Sequence, residues 1–501
     1  MNLANWFVSF EEKLKSQANL KLAFVILAIL FWSLRLYHVN APVLDRHSWN
    51  QTSGASMAMN IYKDPSSFFR PDINAATGDT DSTVNGQEFP IFFGLIALGY
   101  QLVTPQIWVA RIIGIGIAFL GWIYFYRLLR LEENRATSLF ILALYTVNSH
   151  NWFFDRAINS DTGMVTFMLA SLFYFIEYRR TRSWPALILL LVTTTLAGLF
   201  KPYGLAIGFS FMYLVYKDKS WTLLKDIKLY AVGIVVLVTN LSWVFYTEYY
   251  LPSSVSIGSD LGFNFKDLFS LNSLNIMQQR IFDQITTQFL MLFCIFAIFS
   301  KKISNKVLYS LLVSNICYFI IIIHGNLGHN YYQLPFTPTF IGFSGLGLLY
   351  WMKLPAKKLN PKFKLGIIIF ILVGYIAYSA KKTSNHLRLS MGPKYIGDYI
   401  QATGLADGQK LLVLENSGTR YHEVLYYANR KGWIRRQVSH QDLDWFKQKG
   451  IEIVAVHYEE SYFSNDAIMK PINEMLEPIW IGEDCRNSYG DECLMGVYKF
   501  K

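Results

Sequence analysis

The sequence predicts a polytopic α-helical membrane protein of about eleven spans that ends in a small extracytoplasmic α/β domain. Three observations lead there. Of 501 residues, 52% are hydrophobic, 16% aromatic and only 16% charged, more apolar surface than one compact globule can bury. Stretches of roughly 17–25 apolar residues recur along the chain, and Lys and Arg collect in every second connection between them. From about Lys381 onward the composition becomes that of a soluble domain.

The apolar stretches centre near residues 28, 117, 142, 170, 192, 210, 238, 292, 315, 343 and 372. The first, Leu20 to about Leu36, is followed by no small-residue cleavage site and reads as a retained span. Ahead of it, Trp6-Phe7-Val8 with Glu11, Glu12, Lys13 and Lys15 reads as a short amphipathic helix on the surface. Positive loops stay cytoplasmic. Arg127/Arg130/Arg135, Arg179/Arg180/Arg182, Lys217/Lys219/Lys225/Lys228, Lys301/Lys302/Lys306 and Lys353/Lys357/Lys358/Lys362/Lys364 therefore face the cytoplasm with the N-terminus. The long loop 39–103, the turn 148–161, the point near Lys201, the loop 248–283 and the turn 324–335 face outside.

Residues 1–380 form the membrane part in this reading, and residues 381–501 the outer domain. In that domain the branched apolar runs Leu411–Leu414 and Ile451–Val456 predict strands, separated by amphipathic stretches at Tyr421–Asn429 and Asp442–Lys449. An odd number of spans places this tail outside. There Cys485 and Cys493, which flank a short polar stretch, are candidates for a disulfide. Cys294 and Cys317 lie in apolar runs and read as small buried hydrophobes.

A formal charge of +11 raises nucleic acid as a partner, but the basic residues lie between apolar runs and make no single face. No GxxxxGK[ST] loop, GxGxxG after a strand, HExxH helix or CxxC pair is present. ATP-driven and zinc-hydrolase chemistry recede accordingly.

The turns assigned to the outside carry most of the unusual polar clusters. A charge at the mouth of a span is costly unless it is paired or faces water. Asp45, directly after the first span, could serve as a general base for a hydroxyl nucleophile, or could cap the following helix. Asp161 opens the fourth span with the same two readings, and Asp155-Arg156 reads as a local ion pair. Lys201, Arg156 and Arg46 suit a phosphate leaving group, against snorkelling to headgroups as the plainer role of an isolated Lys. Glu88, His324 and His329 are candidate ligands of a divalent metal, though no i, i+4 pair enforces it. Tyr331 and Tyr332 read as interfacial belt aromatics or substrate contacts. Asp72, Asp79 and Asp81 read as solvated, and Asn50-Gln-Thr52 as an accidental glycosylation pattern.

These residues resemble the integral-membrane C-type glycosyltransferases related to protein O-mannosyltransferases and lipid A aminoarabinose transferases, particularly bacterial members. The resemblance rests on Asp45-Arg-His-Ser-Trp-Asn-Gln51, Glu88-Phe-Pro90, Arg156-Ala-Ile-Asn-Ser-Asp161, Lys201-Pro-Tyr203, Gly328-His-Asn-Tyr-Tyr-Gln-Leu-Pro335 and, in the tail, Tyr426-Tyr-Ala-Asn-Arg-Lys-Gly-Trp433. It implies a polyprenyl-phosphate sugar donor, a hydroxyl acceptor on a glycan, lipid or protein, and inversion by a single displacement. By the same resemblance Asp45 is the catalytic base and Asp161 helps place the acceptor or the base. Lys201 and Arg156 hold the donor phosphate. Glu88, His47, His329, Tyr331, Tyr332 and Gln333 line the cavity. The family often has Lys where Phe89 stands and Pro where Ser160 stands. No nucleotide cofactor is implied.

A secondary transporter or flippase for a lipid-linked glycan is the rival reading, and a membrane scaffold with a partner-binding outer domain is a third. Neither half of the chain resembles the other and the polar groups gather on one predicted face, unlike the repeats and midplane charges of transporters.

Overall fold

The computed structural model describes residues 17–76, 80–251, 265–268, 270–354, 361–416, 422–483, 485–486 and 490–501. The amphipathic stretch at Trp6–Lys15, together with Asp79, Lys357 and Lys358, lies outside them. The chain folds as two compact units. One takes in residues 1–38, 114–243 and 258–385, the other residues 39–113, 244–257 and 386–501. The long first loop, 39–103, therefore falls wholly in the same unit as the tail.

The first unit is helical. A helix lies at each of the eleven centres read from hydropathy, but among the described residues four are long and apolar enough to cross a membrane: Gln17–Leu36, Ile107–Glu132, Ile227–Tyr250 and Phe363–His386. A fifth candidate is the pair Leu271–Ile285 and Thr287–Phe299, bent by 104°. Trp184–Phe200 and Lys306–Ile321 are apolar but shorter, and Arg135–Thr146 has 12 residues. Hydropathy alone thus finds the helices without establishing eleven complete spans. Buried polar side chains tie the bundle together. The Arg35 guanidinium meets Asp155 Oδ2 at 2.7 Å, both groups shielded from solvent. The expected local pair Asp155-Arg156 is therefore replaced: Asp155 reaches the first helix, and Arg156 Nη2 donates to the His38 carbonyl at 2.9 Å.

The second unit is built on a six-stranded sheet in the order β1-β3-β2-β4-β6-β5. Its strands are β1 (Ala75–Ala76), β2 (Leu411–Glu415), β3 (Gly432–Arg435), β4 (Ile453–Glu459), β5 (Leu476–Ile481) and β6 (Cys493–Phe500). β1 to β4 pair in parallel, whereas β6 runs antiparallel to β4 and β5. β2 and β4 overlap the two branched apolar runs; β1 comes from the first loop. Helix His440–Gln448, closed by a capping box of Ser439 and Asp442, packs Leu443 and Phe446 against Trp433, Val454 and Tyr498.

Asp72, expected to be solvated, instead accepts from the Asn74 amide at 2.8 Å and the Thr83 hydroxyl at 2.7 Å, and pairs with Lys431. It anchors the loop beside β1. Cys485 and Cys493 form a disulfide with Cα atoms 5.0 Å apart. Cys294 is buried and Cys317 half-buried.

Two histidines and one glutamate of this unit titrate away from their ordinary range. Burial raises the Glu423 carboxyl to about 7 and lowers the imidazoles of His422 and His457 to about 4. Between about pH 4.5 and 6.5, folded Glu423 keeps a proton that the unfolded chain has lost, so its contribution to stability falls as pH rises. Each histidine is neutral when folded and charged when unfolded there, so its contribution grows with pH. Glu423→Gln removes the opposing contribution and steepens the rise of stability with pH by about 1.4 kcal/mol per unit. Denaturation of wild type and variant across this range measures the difference; parallel curves would refute the assignment.

Candidate functional site

Asp45 belongs to the second unit and is 4% exposed. The following helix, Ser48–Lys63, takes His47 as its N-cap, with φ 58° in the left-handed region. Asp45 therefore stands two residues before the cap, and the capping role read as its alternative does not describe its position. Its Oδ1 accepts from Gln51 Nε2 at 2.6 Å, and its Oδ2 lies 3.5 Å from Arg111 Nη2. The same Gln51 nitrogen donates to the Arg46 carbonyl at 3.0 Å. Arg111 also donates to the carbonyls of Val39, Ala41 and Pro42, so one buried guanidinium holds both the carboxylate and the chain leading to it.

The tail fixes this segment from its other side. The Val43 amide donates to Tyr427 Oη at 2.8 Å, Arg46 N to the His386 carbonyl at 3.0 Å, and Ser390 N to the Leu44 carbonyl at 3.1 Å. The Glu423 carboxyl is hydrogen-bonded to the Ser48 side chain. Arg46 is exposed, and His47 and Glu88 are half-buried.

In the first unit, Asp161 opens helix Asp161–Thr181, with Ser160 as the N-cap. Its side chain is fully buried and its Oδ2 lies 3.0 Å from Lys201 Nζ. Lys201 follows helix Trp184–Phe200, and the turn Arg182-Ser183 folds that helix back along the first. Lys201 is thus a buried partner of a carboxylate, not a lysine reaching for headgroups. Its ammonium sits 5.1 and 5.0 Å from the ring centres of Tyr331 and Tyr332. The His329 ring stacks on Tyr331 at 5.2 Å, and Tyr331 on Tyr332 at 5.1 Å.

Gln333, next in the chain after Tyr332, is fully buried and donates to Asn326. Arg280 donates to the carbonyls of Asn326, Leu327 and His329, which fixes the turn carrying the aromatics. The unit therefore gathers Asp161, Lys201, His329, Tyr331 and Tyr332 around one cation. Arg156 is buried on the His38 carbonyl, and His324 is exposed.

Among the described residues, the grouping of three or more potential metal ligands within reach of one ion is His457 with Cys485 and Cys493. Both cysteines are committed to the disulfide there, so these residues do not fit a metal. Glu88, His324 and His329 are in no such grouping.

Arg111 and Arg35 were absent from the sequence-derived candidates. A signal was available: each is a lone arginine in an apolar run, where a charge calls for a buried partner.

Residues 87–246 match the family model "Dolichyl-phosphate-mannose-protein mannosyltransferase". No curated protein matches the sequence. Among solved structures, apo ArnT from Cupriavidus metallidurans is similar with a TM-score of 0.61 at 12% identity, covering 94% of this chain and 97% of that one. The same protein bound to undecaprenyl phosphate gives 0.60 at 12% identity, covering 96% and 98%. The apo oligosaccharyltransferase of Archaeoglobus fulgidus gives 0.60 at 12% identity, covering 88% of this chain and 70% of that one. At such identity the structural likeness speaks for the fold. In sequence over residues 87–246, and in fold over nearly its whole length, this multi-pass helical chain resembles the C-type membrane glycosyltransferases to which its loop motifs point.

Proposed function

We propose that this protein transfers a sugar from a polyprenyl-phosphate donor to a hydroxyl acceptor on the outer face of the cytoplasmic membrane. The N-terminus lies inside and the tail outside. The acceptor hydroxyl gives its proton to the Asp45 carboxylate while its oxygen bonds to the anomeric carbon. The bond from that carbon to the phosphate oxygen breaks, its electron pair leaves with the phosphate, and the anomeric centre inverts. A phosphate departs readily, so no general acid is needed, and fixed cations stabilise its charge.

The observation that carries this reading is the placing of Asp45: a buried carboxylate held by Gln51 and Arg111 and standing outside the helix-cap position. Asp161 helps place the acceptor or the base. Lys201, whose ammonium has three donors, holds the donor phosphate with Arg156 and Arg46. Glu88, His47, His329, Tyr331, Tyr332 and Gln333 serve the cavity. A divalent metal on Glu88 and His329 has no support in the ligand grouping above. The matched family's mannosyl donor and the undecaprenyl phosphate of the ArnT complex favour transfer over the transporter reading.

The test presents a panel of synthetic polyprenyl-phosphate sugars, labelled in the sugar, to membranes containing the protein and its endogenous acceptors. Transfer from one donor, with inverted configuration in the product, is expected. No transfer from any member, or retained configuration, would overturn the reading.

A further inference from the structure

Away from Asp161 and Lys201, the first unit has an apolar groove of about 280 Å³. It is lined by Phe175, Leu190, Phe211, Val232 and Val236 from four helices: Asp161–Thr181, Trp184–Phe200, Ile207–Lys217 and Ile227–Tyr250. Two glycines, Gly208 and Gly233, line it as well, and a Cβ built on either would meet nothing within 4 Å. Interiors are normally packed without such gaps. A slot bounded by apolar side chains suits a flexible hydrocarbon chain.

Charge indicates which chain. Helix Asp161–Thr181 has 21 residues, roughly 30 Å of rise, and the Lys201–Asp161 pair occupies its start. The groove begins at Leu205 and Gly208, which follow Lys201 in the chain, and reaches toward the opposite end, where Leu229 lines it two residues into helix Ile227–Tyr250. Arg182, Lys225 and Lys228 collect at that end. Arg182 pairs with Asp226 at 2.7 Å, Lys225 is exposed, and Lys228 lies 4.4 Å over the Trp184 ring. An indole beside lysines at the end of a span is the arrangement that meets lipid headgroups, and clustered cations favour anionic ones.

We propose that this groove binds an acyl chain of an anionic phospholipid from the leaflet on the basic-loop side, with its headgroup at Lys225, Lys228 and Trp184. The site stands apart from the cation at Lys201 and does not depend on the transferase reading.

The experiment equilibrates the full-length protein with mixed vesicles of phosphatidylglycerol and phosphatidylcholine. Retained lipid is counted by native mass spectrometry, and a phosphatidylglycerol carrying a diazirine in its acyl chain maps the contact. Wild type is expected to retain phosphatidylglycerol and to crosslink within the groove. Gly208→Leu/Gly233→Leu, which fills the slot, should lower retention by about tenfold or more, equivalent to about 1.4 kcal/mol of binding. Lys225→Gln/Lys228→Gln should lower the preference for phosphatidylglycerol while keeping the crosslink. Gly233→Leu alone, or the wild-type crosslink by itself, decides the matter if the double variant fails to fold. Crosslinks elsewhere, equal retention by the filled variant, or displacement of the lipid by added undecaprenyl phosphate would overturn the proposal.

Discussion

If Asp45 is the base proposed above, Asp45→Asn is expected to lower sugar transfer by at least about a hundredfold, the range a missing general base produces, in protein that still folds. The two effects separate for a structural reason. The carbonyl of the substituted amide can still accept from Gln51 Nε2, as Asp45 Oδ1 does at 2.6 Å, and Arg111 keeps its bonds to Val39, Ala41 and Pro42. The contacts with Gln51 and the loop carbonyls are thus kept, and what goes is the carboxylate's charge, both as the proposed proton acceptor and as the partner of Arg111. Asp45→Ala is a poorer probe, because it removes the acceptor for Gln51 Nε2 as well as the carboxylate that Arg111 faces. Initial rates at saturating donor, compared at matched expression and thermal stability, read the effect on the chemical step. Equal rates would acquit Asp45, and a loss confined to KM would move it from chemistry to binding.

Arg111→Met supplies the complementary measurement. It leaves the carboxylate in place but releases residues 39–45 from their clamp, so both stability and transfer fall. A larger fall in melting temperature in Arg111→Met than in Asp45→Asn, beside a larger loss of transfer in Asp45→Asn, would assign the clamp to structure and the carboxylate to chemistry.

What the sequence revealed and concealed follows from the range of each signal. Helix positions were legible because apolar runs are local. Span length was not, since a run such as Lys306–Ile321 is set as much by the helices packed beside it as by its own hydropathy. β1 was invisible: two alanines in a long loop carry no periodicity, and they become a strand only because β3 offers an edge. The motif around Asp45 was legible as a cluster, but its meaning depended on Arg111, 66 residues away in sequence. Similarly, Asp155 was paired on paper with its neighbour Arg156, although the partner that holds it lies 120 residues earlier. Sequence adjacency is a weak guide to which charges meet in a helical bundle, because a turn that reverses the chain separates neighbours and brings distant helix ends together. Asp161 and Lys201 lie at opposite ends of a helical hairpin and meet for this reason.

That pair permits the sharpest test of the phosphate-binding role. Lys201→Met leaves a buried carboxylate without its cation, and Asp161→Asn leaves a buried ammonium without its anion. Either change should cost about 3–5 kcal/mol. The double variant Asp161→Asn/Lys201→Met removes both charges and should recover most of that loss. A polyprenyl phosphate then distinguishes the two single variants. If Lys201 is the phosphate ligand, the Asp161 carboxylate competes for the same ammonium, so Asp161→Asn should bind undecaprenyl phosphate at least as tightly as wild type and gain more thermal stability from it. Lys201→Met and the double variant should lose binding by about tenfold or more, since a charge-assisted bond contributes roughly 1.5–3 kcal/mol. Melting temperatures with and without undecaprenyl phosphate, beside direct binding, measure both. Equal stabilisation of all four proteins would make Lys201–Asp161 a structural ion pair and move the search for the phosphate ligand to Arg156 and Arg46.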